Sequence, residues 1–152
     1  MRAWLAAAAA LAIGCAARTP PRELTPVPDA ERTLWDGVYT DAQSRRGEEI
    51  YFASCVLCHR AELTGSQIVP PLIGELFLAR WSRRSAGDLF EWVRTSMPPV
   101  VTARLAPQQY ADVLAYILSR NQFPAGPGEL PPDFSALRVI LMAPQGGGAG
   151  NP

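Results

Sequence analysis

Five consecutive residues, Cys55-Val56-Leu57-Cys58-His59, constrain this chain more than any other stretch. On a helical turn Cys58 lies three residues and His59 four residues beyond Cys55, so two thiols and an imidazole gather on one side of the backbone. Two sulfurs so placed can form thioethers to the two vinyl groups of a haem while the imidazole offers a nitrogen to the iron. A C-x-x-C-H run therefore reads as the attachment site of one covalent haem c. The chain has a single histidine, so any second protein ligand to the iron is of another kind. Two other readings use the same cysteines. A redox dithiol belongs in a βαβ setting, whereas the flanks here are helical in pattern. A tetrahedral zinc site needs four ligands, and the remaining cysteine, Cys15, sits in an N-terminal stretch of different character.

With 152 residues there is room for one domain, and the balance of 14 basic against 14 acidic residues argues against a nucleic-acid partner. Arg2 followed by the uncharged run Trp4 to Ile13 has the layout of an export signal and is too short to span a bilayer. Leu11-Ala12-Ile13-Gly14-Cys15 looks like a bacterial lipobox, with Ala12 where that pattern prefers leucine. On this reading residues 1–14 are removed and Cys15 becomes a lipidated first residue; the other reading is ordinary cleavage near Ala17. Residues 15–33 carry Pro20, Pro21, Pro26 and Pro28 with no apolar period, which predicts an extended tether.

The folded part is expected over residues 34–126. Leu34 to Tyr39 reads as a lead-in strap. Thr40 or Asp41 can cap a helix that runs through Arg45, Glu48, Tyr51 and Phe52 into Cys55. Ser85 with Asp88 reads as the capping pair of a short helix bearing Leu89, Phe90, Trp92 and Val93. Pro107 opens a last helix through Tyr110, Leu114, Tyr116 and Ile117 to Arg120, with Asn121 near its stop. Residues 127–152 turn to proline and glycine, contain one apolar run from Leu137 to Met142, and are expected to be largely disordered.

From Asp41 to Gly126 the chain resembles the monohaem class I c-type cytochromes of bacteria. Gly47, Tyr51 and Cys55 stand at the four-residue steps of that family's first helix. Pro70-Pro71-Leu72-Ile73-Gly74 resembles its Pro-x-Leu-x-Gly segment, and Ser96-Met97-Pro98-Pro99 its Met-Pro segment. The resemblance implies an all-α fold of three to five short helices around the haem. It implies that the Pro70 carbonyl orients His59, that Leu72 lines the haem, and that Met97 is the sixth ligand, a soft thioether suited to haem iron. It also makes Trp81 with Arg83 or Arg84 candidates for a haem propionate, and lets Tyr116 pack near Gly47 and Tyr51. Tyr51, Leu72, Phe90, Leu114 and Ile117 are expected to wall the cofactor. Met142 would serve as a ligand only if the tail folded over the haem edge.

These readings predict a one-electron carrier and not an enzyme in its own right. The carrier is expected as a monomer in the periplasm or on the outer face of a membrane, lipid-anchored through Cys15, with a redox donor and a redox acceptor as partners. A haem-based ligand sensor would need an open iron position, and the chain could instead be the cytochrome subunit of a larger dehydrogenase or oxidase. All 14 basic residues are arginine. Arg45, Arg46, Arg60, Arg80, Arg83 and Arg84 fall around the haem-binding segments, where they could steer an acidic partner.

Overall fold

The computed structural model describes residues 32–99 and 104–143. The expected signal, Cys15, most of the tether and the end of the tail lie outside the described residues. The fold is all-α. A two-residue strand β1 (Arg32–Thr33) and a 3-10 turn at Leu34–Asp36 precede helices α1 (Asp41–Ser54), α2 (Val56–His59), α3 (Gly74–Trp81), α4 (Ala86–Ser96), α5 (Pro107–Arg120) and α6 (Phe134–Leu137), and strand β2 (Ile140–Leu141) follows. Among the described residues no helix is long and apolar enough to cross a membrane.

Local sequence accounts for most of the helix ends. Thr40 opens α1, its Oγ1 accepting the Gln43 N–H at 3.1 Å. Ser85 and Asp88 form a reciprocal capping box at the start of α4. At α5 the first helical residue is Pro107, and Gln109 reaches back to accept the Ala106 N–H at 2.8 Å, one half of a capping box, while alanine offers no side-chain acceptor to the first turn. Helix α3 has no local signal. Ile73 precedes it without a side-chain cap, and the Gly74 N–H is satisfied by Asn121 Oδ1 at 3.0 Å, from the end of α5.

Helices α1 and α5 cross in close contact and form the backbone of the core. Tyr51 of α1 and Tyr116 of α5 pack with ring centroids 5.2 Å apart. Almost all of α5 between Tyr110 and Leu118 is buried, so it is a central helix with neighbours on several sides.

The expected boundary at residue 126 is corrected by the structure. Leu130, Leu137, Ile140 and Met142 are buried, and the segment from 127 to 143 folds back over the domain. Gln43 binds the Leu130 backbone twice, accepting its N–H at 2.8 Å and donating to its carbonyl at 2.9 Å. Strand β2 pairs in parallel with β1, Arg32 opposite Ile140 and Thr33 opposite Leu141, and Trp35 Nε1 donates to the Ala143 carbonyl at 3.0 Å. A proline- and glycine-rich composition does not prevent this. The apolar anchors are few but fully buried, and the backbone groups between them find partners in distant parts of the chain.

Candidate functional site

The α1 helix ends at Cys55, and α2 begins at the next residue, with the N–H of His59 donating to the Cys55 carbonyl at 3.0 Å. Tyr51, one turn before Cys55, is buried, and its hydroxyl donates to the Arg60 carbonyl at 2.6 Å. That bond ties the end of the C-x-x-C-H turn back onto α1. Burial pushes the Tyr51 hydroxyl well above its ordinary range, so it remains a donor.

His59 is buried, with Nδ1 3.2 Å from the Pro70 carbonyl oxygen. A carbonyl only accepts, so Nδ1 carries the proton and Nε2 keeps the free lone pair. Burial lowers the imidazole pKa and the bond to Pro70 acts the other way, with burial the larger cause. The ring is thus a neutral, oriented nitrogen donor at neutral pH.

Cys55 and Cys58 are both free thiols. Burial, with a smaller contribution from Cys58, pushes the Cys55 thiol up to about 11. Redox dithiols depend on a thiol whose pKa is lowered, so the environment of Cys55 speaks against that chemistry. Nor do three His, Cys, Asp or Glu side chains gather in a metal-binding group among the described residues.

A cavity of about 570 Å³ opens beside this turn. Cys55, Cys58 and His59 line one part of it, and Met97 lines another. Between them the wall is mainly apolar, including Tyr51, Leu72, Phe77, Trp81, Leu89 and Ile117. Met97 is the C-cap of α4 in extended conformation, its N–H donating to the Val93 carbonyl at 2.8 Å. The Tyr110 hydroxyl donates to the Met97 carbonyl at 2.8 Å. A large apolar space with two thiols, a neutral imidazole and a thioether on its wall fits a haem c in size class and donor chemistry. Cys55 and Cys58 would hold its vinyl carbons, and His59 and Met97 its iron.

The structure brings together Cys55, Cys58, His59, Pro70, Leu72, Trp81 and Met97, all on the cavity wall. Two of the residues expected on that wall belong elsewhere. Phe90 and Leu114 are buried but do not line the cavity, because the helix faces turned to it carry Leu89 and Val93 on α4 and Val113 and Ile117 on α5. Met142 is also buried away from the cavity. Of the arginines, it is Arg80 and not Arg83 or Arg84 that reaches the wall, with its guanidinium 5.7 Å from the ring centroid of Trp92. Arg84 instead lies over Trp81, 5.6 Å from that ring. The signal for Arg80 was its place one residue before Trp81 on an unforeseen helix.

An all-α domain with a C-x-x-C-H turn at the wall of a large apolar cavity defines a c-type cytochrome. A family model described as cytochrome C oxidase, cbb3-type, subunit III, matches residues 42–117, half of the chain, and the chain belongs to that family. No curated protein and no solved structure matches it. A cytochrome domain of this kind is an electron-transfer protein, and its covalent haem supplies an iron that cycles between the ferric and ferrous states.

Proposed function

We propose that the chain is a monohaem one-electron carrier of the bacterial cell envelope, with haem c attached through Cys55 and Cys58 and iron held by His59 and Met97. The observation that carries this reading is that His59 and Met97, 38 positions apart in sequence, line the same cavity. Both ligands are held by neighbours, His59 by the Pro70 carbonyl and Met97 by Tyr110. Ligands so held need not be exchanged when the iron changes oxidation state, and that keeps the reorganisation accompanying electron transfer small. One C-x-x-C-H run accounts for one haem.

Exported, the protein would be held by acyl chains on Cys15, with the proline-bearing tether carrying the domain off the membrane surface. The family description favours one specific variant of this role, in which the carrier works as the cytochrome subunit of an oxidase complex.

The test is the absorption spectrum of the full chain produced in an export host with haem-attachment machinery. A haem stain that survives denaturation, with the weak far-red ferric band of methionine ligation lost in Met97→Ala, is the expected result. Haem without that band and with ready binding of carbon monoxide would replace the carrier with a ligand sensor. Detergent partitioning that is abolished by Cys15→Ser tests the anchor. Copurification with an oxidase, or its absence, separates subunit from free carrier.

A further inference from the structure

We infer that the C-terminal strap, residues 127–143, is a positioning element for the methionine-bearing wall of the cavity, an inference that rests on the assignment of Met97 to the iron. The strap lies beyond the span shared with the family, which ends at residue 117.

Helix α4 carries Leu89, Trp92 and Val93 on the cavity wall and ends on Met97. Gly87 lies on the side of the helix away from Leu89, and there α6 packs against it. A Cβ on Gly87 would sit 2.8 Å from the Arg138 nitrogen and 3.0 Å from the Phe134 carbonyl oxygen. Only the missing side chain lets the strap backbone seat on α4. Leu137 is fully buried.

A second attachment holds the start of the same helix. Met142 donates its N–H to the Arg84 carbonyl at 2.9 Å, and Leu141 forms an antiparallel bridge with Ser85, the residue that caps α4. The other edge of β2 is paired with β1. Helix α4 is therefore clamped between the strap on one side and the cavity on the other. Helix α5 also touches α4, and its Tyr110 holds the Met97 carbonyl, but without the strap α4 would lose its outer support and be freer to withdraw, taking Met97 with it.

The test compares Gly87→Val and the milder Leu137→Ala with Leu118→Ala, which removes a fully buried α5 side chain that does not line the cavity. All are studied as full, haem-loaded chains below their melting temperatures. The readouts are the ferric methionine band, the rate of carbon monoxide binding to the ferrous form, and amide exchange at Met97. Both strap variants are expected to lose most of the band, to bind carbon monoxide about tenfold faster and to exchange the Met97 amide about tenfold faster. Leu118→Ala melts lower but keeps the wild-type values. Should the strap variants match Leu118→Ala in all three readouts, the strap is ordinary core and the proposal fails. A wild-type protein without the band refutes the methionine assignment instead. The strap is then judged by Met97 exchange alone, where acceleration supports it and wild-type exchange overturns it. If Gly87→Val does not fold, Leu137→Ala carries the same comparison.

Discussion

Gly47 of α1 lies directly against the backbone of Asp112 in α5, so close that a Cβ on Gly47 would overlap the Asp112 carbonyl oxygen and stand 3.0 Å from Tyr116 Cβ. The obstacle is main chain within a helix and cannot swing aside. The crossing of the two central helices is therefore set by one absent methyl group, and the Tyr51–Tyr116 packing beside it depends on that distance. Gly47→Ala would force the helices apart. We expect a loss of about 1–3 kcal/mol, the range for overpacking a close-packed interior, seen as a lower urea midpoint with an unchanged slope. An equal or higher midpoint would show that the crossing tolerates the side chain.

The same crossing carries an ionic cluster. Arg46 binds the buried Asp112 through Nε at 3.1 Å and the exposed Glu129 through Nη2 at 2.7 Å. The hydrogen bond from Arg46 holds the Glu129 carboxyl below its ordinary value of 4.5, and Thr40 adds to this. A group whose folded pKa is depressed stabilises the fold fully above its unfolded value and loses that contribution as pH falls through the folded one. Denaturation of Glu129→Gln and wild type should thus differ by a constant amount above about pH 5 and converge below 4.5. Because Glu129 is exposed, the difference should be small and should shrink in salt. A gap that widens on acidification would contradict the assigned direction.

How much of this was readable beforehand depends on whether the signal is local. The C-x-x-C-H turn, the Thr40 cap and the Ser85–Asp88 box each announce themselves within a few residues, since the physics they serve is confined to one helical turn, whereas Gly47 is legible only through the family resemblance because the backbone it meets belongs to Asp112 of another helix. Helix α3 does not, because its first N–H is capped by Asn121, 47 positions away. The strap is hidden in the sequence for a similar reason. Its proline and glycine content is that of a linker, and the partners that fix it, Gln43 and Arg84, are remote in sequence. Wall residues were misassigned where two apolar faces of one helix compete, as with Phe90 against Leu89. Both are buried, and only the tertiary arrangement decides which meets the cavity.

Tyr110 joins α5 to the loop that bears Met97. Its buried hydroxyl donates to the Met97 carbonyl at 2.8 Å and accepts the Leu105 N–H at 3.2 Å. Tyr110→Phe keeps the ring and leaves both backbone groups without this partner. Met97 and Leu105 are half-buried, so the expected cost is about 0.5–1.5 kcal/mol, the net worth of a lost hydrogen bond, together with a weaker ferric methionine band. Urea denaturation and the absorption spectrum of the same sample check it. Loss of stability with an undiminished band would mean that Val93, through its carbonyl, suffices to hold Met97.

Arg80 places a guanidinium on the cavity wall against Trp92, and no acidic side chain pairs with it among the described residues. A fixed positive charge there opposes the additional positive charge of ferric iron, so it favours the reduced state. Removing it in Arg80→Met should lower the reduction potential by up to about 59 mV, the one-electron equivalent of a tenfold change in the ferric-to-ferrous ratio. Arg83→Met is the comparison, since both arginines are exposed and only Arg80 lines the cavity, and the effect of the more distant charge should be smaller and more readily screened by salt. Spectroelectrochemical titration of both variants at low and high ionic strength distinguishes them. Equal shifts would mean that the iron senses only the overall arginine charge of this face, and the place of Arg80 beside Trp92 would then carry no special weight.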